Sequence, residues 1–188
     1  NYRDSFNMFC SNGILFNHES PIRGLEFVTR KITNGVSEIK LGLAHEINLG
    51  NINSLRDWGF AGDYVEAMWL MLQNEKPSDY VISTGKQHSI KDLIQLAFNR
   101  VKIKNWKDFI KIDNQFKRPS DVNSLCGDYS KAKRELNWQP NTRFNELVNI
   151  MVDADIKRNK LKQKKLIKET KPSIYRFVKR KGQIKNIA

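Results

Sequence analysis

The amino-acid sequence predicts an α/β fold, and two observations carry that prediction. Short apolar runs bounded by turn residues, which are typical of strands, alternate along the chain with longer stretches whose apolar residues recur at helical spacing. The chain has 188 residues, of which 39% are hydrophobic, enough for one domain with a core and short for two. Alternating strands and helices exclude all-helical and all-β architectures.

The first third of the chain predicts strand, helix and strand in that order. Residues 13–16 are an apolar run between polar ends and predict a buried strand. The strand is predicted to end at residues 18–21, since Pro21 cannot continue a ladder. The stretch after residue 27 predicts a helix with Val36 and Ile39 on its inner face. Residues 46–51 alternate polar and apolar and stop at Gly and Asn, which predicts a short strand and a turn.

The middle of the chain contains the clearest helical pattern, over residues 61–74. Its apolar residues, with Met68, Trp69 and Met71 among them, are predicted to lie in the core. Residues 80–85 predict a strand and a turn. The segment from Ser89 to Asp92 has the form of a capping box and opens a second helix. The apolar face of that helix is formed by Leu93, Ile94, Ala97, Phe98 and Val101.

The last part of the folded body predicts one more strand and two helices. Residues 109–113 are the strand, Ser130 is placed to cap a short helix, and Phe144 begins the last helix of the body. We place the boundary of the body at residues 156 and 157. Residues 157–188 are predicted to be a basic, partly disordered tail.

The charge is concentrated in that tail. The net charge is +13, and residues 157–188 contain thirteen Lys and Arg against one acid, Glu169. The body is therefore nearly neutral, which argues against nucleic-acid binding by the body. Contact of the tail with RNA or an acidic partner stays open. No run of about eighteen apolar residues exists to span a membrane. Cys10 and Cys126 are expected to be buried free thiols in the cytoplasm.

Several common site motifs are missing from the sequence. It contains no G-x-G-x-x-G dinucleotide fingerprint and no phosphate-binding G-x-x-x-x-G-K-[ST] loop. The three histidines, His18, His45 and His88, are far apart, so no metal site is predicted.

Polar residues instead collect after the predicted strands. Ligands of open α/β sheets bind beyond the carboxyl ends of strands, and an arginine fork there suits phosphate, so a diphosphate ligand fits this set, with Lys31 as an added point charge. The alternative is structural: the arginines form surface salt bridges, His18 is a satisfied structural histidine, and the aspartates cap or pair. The residues concerned are Asn17, His18, Arg23, Arg56, Asp57, Arg118 and Asp121.

Several segments closely resemble the GDP-mannose 4,6-dehydratases, in order and spacing, over about residues 1–156. They are residues 12–21 (NGILFNHESP), 27–32 (FVTRKI), 49–51 (LGN), 56–59 (RDWG), 63–69 (DYVEAMW), 118–119 (RP), 127–128 (GD) and 130–133 (SKAK). The resemblance implies the C-terminal end of a Rossmann-like parallel sheet with a small mixed α/β substrate-binding domain. It also implies conversion of GDP-mannose to GDP-4-keto-6-deoxymannose, with loss of water through a hydride that passes to NADP and back.

The resemblance assigns roles to individual residues. His18 and Arg23 fall at positions that contact NADP in the family. Asn17, Lys31, Arg56, Arg118 and Asp121 fall at positions that contact GDP-mannose, although Asp121 is shorter than the Glu of many relatives. The catalytic Tyr and Lys of the family are expected upstream of residue 1, as is its main NADP loop.

Three readings therefore remain open. We expect the dehydratase, whose full-length form is a homo-oligomer, with no activity from this chain alone. One alternative is a non-catalytic GDP-sugar-binding module. The other is a degenerate remnant whose basic tail binds RNA or an acidic partner.

Overall fold

The computed structural model describes residues 1–116, 122 and 124–170. It contains six α-helices in these residues, joined by short strands and two 3₁₀ turns. The helices are α1 (Tyr2–Phe6), α2 (Val28–Lys40), α3 (Ala61–Met71), α4 (Ile90–Arg100), α5 (Ser130–Leu136) and α6 (Phe144–Thr170). The strands are β1 (Gly13–Leu15), β2 (Asn17–Glu19), β3 (Ile47–Leu49), β4 (Leu55–Arg56), β5 (Trp58–Phe60), β6 (Tyr80–Ile82), β7 (His88–Ser89) and β8 (Ile110–Ile112).

The strands of the described residues pair two by two. β1 pairs with β6, β2 with β5, and β3 with β8, all parallel, whereas β4 and β7 are antiparallel. Parallel partners need crossover connections, and α2 lies in the connection between β2 and β5. The α/β prediction is confirmed by this arrangement.

The larger part of the core lies between α2, α4 and α6. Val36 and Ile39 of α2, which were predicted for its inner face, are buried with apolar residues of the other two helices and of β3. The capping box at the start of α4 is confirmed: Ser89 Oγ accepts from Asp92 N at 3.0 Å, and Asp92 Oδ2 accepts from Ser89 N at 2.8 Å. All five residues predicted for the apolar face of this helix are buried.

The second part of the core is smaller and joins α3, β6 and α5. Tyr64 and Met71 of α3 pack here with Ile82 of β6 and with Trp138. The Trp138 indole N–H donates to Asp63 O at 2.9 Å, so the buried ring has its polar atom satisfied.

The prediction that Met68 and Trp69 lie in the core is wrong in this structure. Trp69 is 60% exposed and Met68 is 38% exposed. The helix is apolar around most of its circumference, but neighbours cover only the stripe that contains Tyr64, Ala67 and Met71. Periodicity identified the helix and could not tell which of its faces is covered.

The strand predicted at residues 13–16 is present as β1, but it is not buried. Ile14 is 57% exposed, because among the described residues β1 pairs with β6 alone. The chain also stays extended after β1, since Asn17–Glu19 form a further strand, β2, and the turn begins only at Pro21. His18 therefore lies within a strand and not after one.

The last two helices differ in detail from prediction. Ser130 is the first residue of α5 and does not cap it from outside; its own N–H is held by Asp128 Oδ1 at 2.9 Å. α6 passes the predicted boundary at residue 156 and runs as one helix to Thr170. The rest of the predicted tail, residues 171–188, lies outside the described residues. The two cysteines are free, but the expectation that they are buried is wrong, since Cys126 is exposed and Cys10 is only partly buried. None of the helices among the described residues combines the length and the apolar character that a membrane span needs.

Candidate functional site

A cavity of about 620 Å³ opens at the ends of β2, β3 and β4 and at the start of α2. This volume is in the range of small-molecule sites. The structure brings together here three of the residues predicted to contact the substrate, Asn17, Lys31 and Arg56. The wall also contains aromatic and apolar residues, namely Leu25, Phe27, Val28, Leu49, Trp58, Ile90 and Phe116.

A second cavity, of about 350 Å³, lies beside β1 and β2. It contains both residues predicted to contact the cofactor, His18 and Arg23, together with Leu15 and Phe16. Asn17 lines both cavities. The predicted cofactor residues and the predicted substrate residues are thus sorted into two cavities that share a wall residue.

Lys31 and Arg56 bring positive charge to the larger cavity. Lys31 Nζ lies 3.5 Å from the centroid of the Phe116 ring, a cation–π contact. Burial lowers the pKa of the Lys31 amine, and the negative charge of Asp113 opposes that effect. Arg56 lies at the end of β4, and its Nη1 donates to the Leu55 carbonyl at 2.8 Å.

Asp57 has a structural role, and its side chain lines neither cavity. Its carboxylate is fully buried and accepts from Thr84 N (2.8 Å), Thr84 Oγ1 (2.6 Å), Gly85 N (2.9 Å) and Gly127 N (3.2 Å). Gly85 has a φ of +69°, a conformation that side-chain-bearing residues rarely adopt. The capping role, which the sequence left open as an alternative, is therefore correct for Asp57, and it fixes the chain between Arg56 and Trp58.

His18 is oriented by its main chain and by an aromatic neighbour. The ring Nδ1 lies 2.9 Å from the Phe16 carbonyl oxygen, which can only accept, so Nδ1 carries the proton. The ring centroid is 5.3 Å from that of Tyr64, which is fully buried. Burial raises the pKa of the Tyr64 hydroxyl, with Asp57 as a further cause. In the neutral imidazole, Nε2 is then left as an acceptor.

Arg23 is held between a carboxylate and an aromatic ring. Its Nε lies 3.4 Å from Glu19 Oε2, and its guanidinium carbon lies 3.5 Å from the centroid of Phe27. This buried Nε makes no hydrogen bond among the described residues. An arginine fixed in this way can offer its fork to an anion in the smaller cavity.

Glu19 is a site residue that sequence reasoning did not single out. It is 2% exposed and accepts from Thr29 Oγ1 at 2.6 Å. Burial raises the pKa of the Glu19 carboxyl, whereas the Thr29 hydrogen bond and the charge of Arg23 oppose the rise. Its position in the NHESP segment, two residues after Asn17 on the same strand face, was the available signal.

Three stacked rings support the wall of the larger cavity. Trp58 stacks on Phe144 with centroids 5.7 Å apart, and His88 stacks on Phe144 at 3.9 Å. Burial lowers the pKa of His88, so its ring stacks in the neutral form near pH 7. Trp58 lines the cavity and is itself 2% exposed, so it belongs to both the site and the core.

Two of the predicted substrate residues, Arg118 and Asp121, lie outside the described residues. Their roles stay predictions. In the part of the chain that the structure describes, no group of three or more His, Cys, Asp or Glu side chains could hold a metal ion.

Solved structures share this architecture at low sequence identity. RMD from Pseudomonas aeruginosa, solved with NADPH, superposes with a TM-score of 0.76 at 19% identity, over 84% of this chain and 52% of that one. A dTDP-glucose 4,6-dehydratase from Bacillus anthracis, solved with NAD, gives a TM-score of 0.72 at 16% identity, over 85% of this chain and 48% of that one. The chain thus has the Rossmann-like α/β fold found in sugar-nucleotide dehydratases.

Sequence comparison is more specific. Residues 1–151 match the family model for GDP-mannose 4,6 dehydratase, and the chain belongs to that family. GDP-mannose 4,6 dehydratase 1 of Arabidopsis thaliana is 54% identical over 156 residues, covering 83% of this chain and 43% of the relative. The Homo sapiens GDP-mannose 4,6 dehydratase is 46% identical over 172 residues, covering 83% of this chain and 46% of that relative. The family prediction is confirmed, and the chain spans less than half the length of these relatives.

Proposed function

We propose that this chain is the GDP-mannose-binding part of a GDP-mannose 4,6-dehydratase, inactive without the rest of the enzyme. The observation that carries the proposal is the larger cavity, which gathers Asn17, Lys31 and Arg56 at the ends of strands. Two cations suit a diphosphate, and the aromatic wall suits a flat base. Asn17, which lines both cavities, is where the sugar would meet the cofactor.

We further propose NADP as the cofactor, with His18 and Arg23 contacting part of it. Arg23 offers the guanidinium that Glu19 and Phe27 hold in place, and His18 has Nε2 left as an acceptor. The nicotinamide would accept and return the hydride of the dehydration. A cavity of about 350 Å³ holds only a portion of a dinucleotide, so the remaining contacts must come from elsewhere in the enzyme.

The test is a calorimetric titration of the chain with GDP-mannose. We expect binding that Arg56→Ala weakens by about 10- to 100-fold, because a charge-assisted hydrogen bond contributes about 1.5–3 kcal/mol. The affinity of the Arg56→Lys chain should lie between those of the unmodified and the Arg56→Ala chains, since lysine keeps the charge and loses the planar fork.

Arg100→Ala is the matched control, because it also removes a guanidinium. Arg100 forms an exposed bidentate pair with Asp153 and lines neither cavity. Its affinity for GDP-mannose should equal that of the unmodified chain. A folded chain that does not bind GDP-mannose, or an Arg56→Ala chain that binds it normally, would contradict the proposal. Binding without any turnover on addition of NADP is the expected result, and a non-catalytic module would give the same one.

The exposed face of α3 gives a second test. Val65, Trp69 and Leu72, at helical spacing on α3 and its C-terminal cap, are each more than half exposed, which is unusual for large apolar residues that lie side by side. We propose that the part of the enzyme not spanned by this chain covers this face. The chain alone should self-associate with rising concentration in sedimentation velocity experiments.

A double substitution, Val65→Glu with Trp69→Glu, should reduce that self-association. Leu161→Glu is the control, because Leu161 is 59% exposed on α6, away from this face. A chain that stays monomeric at every concentration would count against a covered face.

A further inference from the structure

The turn between β2 and α2 carries Arg23, and its carbonyl groups are held by two other arginines. Arg30 Nη1 donates to Pro21 O at 2.6 Å and to Arg23 O at 2.7 Å. Arg158 Nη2, from α6, donates to Pro21 O at 2.9 Å. The turn is therefore attached by its main chain both to the helix that follows it and to the last helix, 137 residues further along the chain.

Asp155 of α6 joins the two arginines. Its carboxylate is fully buried and accepts from Arg30 Nη2 at 2.9 Å, from Thr33 Oγ1 at 2.8 Å and from Arg158 Nη1. We call Arg30, Asp155 and Arg158 the arginine clamp. Each charge in the clamp is paired, and each arginine also donates an N–H to a carbonyl of the turn.

Such a cluster is a costly way to obtain stability alone. Desolvation of buried charges offsets much of their attraction, and apolar packing in the same volume is often as stable. What charged hydrogen bonds supply in addition is direction, because a guanidinium fixes the carbonyls that it binds in a definite geometry. Here the carbonyls belong to the turn from which the Arg23 side chain extends.

The side chain of Arg23 is fixed from the opposite side. Glu19 lies 3.4 Å from its Nε, and the Phe27 ring lies 3.5 Å from its guanidinium carbon. The geometry points to Asp155 and Arg158 as positioning residues: the arginine clamp holds the turn so that Arg23 faces the smaller cavity. This inference rests on the proposed contact of Arg23 with the cofactor. It makes the last helix, which lines neither cavity, a determinant of cofactor affinity.

Arg158→Ala is the informative substitution, because the Arg158 side chain is 35% exposed and its loss leaves Arg30 paired with Asp155. The amide of Ile22 donates to Ser20 Oγ and that of Arg23 to Ser20 O, so hydrogen exchange at residues 22 and 23 reports on the turn. We expect that exchange to accelerate about tenfold and the Kd for NADPH to rise about fivefold, because loss of the charged hydrogen bond to Pro21 O has an effect of that order. The Kd for GDP-mannose should change less than about twofold.

Two variants complete the design. Arg100→Ala removes the exposed Arg100–Asp153 pair, which also joins α6 to another helix, and should leave exchange in the turn and both affinities unchanged. Arg158→Lys should recover part of the NADPH affinity, because an ammonium can still donate to Asp155 and to one carbonyl.

The outcomes separate this inference from the proposed function. Unchanged exchange in Arg158→Ala would overturn the clamp, whatever the affinities. Faster exchange with equal losses for NADPH and GDP-mannose would mean a general structural role and would overturn the positioning role. Faster exchange with unchanged NADPH affinity would do the same. An Arg23→Ala chain that binds NADPH as tightly as the unmodified chain would contradict the proposed cofactor contact and the positioning role together.

Discussion

Replacing Asp57 by alanine is expected to lower the free energy of unfolding by about 3–5 kcal/mol, because it deprives several inward-facing donors of their acceptor. The Asp57 carboxylate accepts from both donors of Thr84, from Gly85 N and from Gly127 N. An unsatisfied buried donor costs about 1–3 kcal/mol, and water can reach some of these groups, so the losses will not add fully. Urea denaturation of the two chains measures the difference.

The matched control is Asp92→Ala. Asp92 is also an aspartate that accepts a main-chain N–H, at the capping box of α4, but it does so at the surface. Its loss should cost about 1 kcal/mol, as for other caps. The loss of unfolding free energy in Asp57→Asn should lie between those of Asp57→Ala and Asp92→Ala, since the carboxamide oxygen can still accept while the amide NH₂ meets other donors. Equal losses of unfolding free energy for Asp57→Ala and Asp92→Ala would show that the buried hydrogen bonds of Asp57 stabilise the fold no more than a surface cap does.

Short-range signals in the sequence predicted the elements well. The start of α4 followed from Ser89 and Asp92 alone, since a capping box is complete within four residues. The buried faces of α2 and α4 followed from apolar spacing, because each has a single apolar stripe that the other helices cover.

Burial was harder to predict where an element is apolar on more than one side. In α3 the pattern does not distinguish Met71, which is buried, from Trp69, which is exposed. The same holds for β1, whose apolar Ile14 has no neighbouring strand on one side among the described residues. In both cases the sequence records an apolar surface, and which partner covers it depends on parts of the protein that a local pattern does not contain.

The candidate site was likewise predicted only in part. Resemblance to the family placed Asn17, Lys31 and Arg56, and the structure brings these three to one cavity. It did not reveal the role of Glu19 or of the arginine clamp. The Arg30–Asp155 pair joins residues 125 apart in sequence, and a contact of that range leaves no local pattern.

Replacing Trp58 by alanine should affect stability and binding together. Trp58 is 2% exposed, and its ring stacks on Phe144 at 5.7 Å. Truncation of a buried Trp costs about 3–5 kcal/mol through lost transfer free energy and the cavity left behind. Because the same ring lines the larger cavity, and because Trp58 pairs in register with Asn17, the Kd for GDP-mannose should also rise, by about tenfold. Urea denaturation and calorimetry measure the two effects.

Trp69→Ala is the matched control, since it removes a tryptophan side chain that lies at the surface and not in the core. Trp69 is 60% exposed on α3 and lines neither cavity, so its loss should cost less than about 1 kcal/mol and leave GDP-mannose affinity unchanged. Trp58→Phe should recover much of the stability, because a six-membered ring can still stack on Phe144. If Trp58→Ala destabilises the chain but binds GDP-mannose normally, the ring is a core residue and the ligand lies elsewhere in the cavity. If both tryptophans matter equally for stability, the exposed face of α3 is already covered in solution by another copy of the chain, and the self-association expected for this chain should disappear with Trp69.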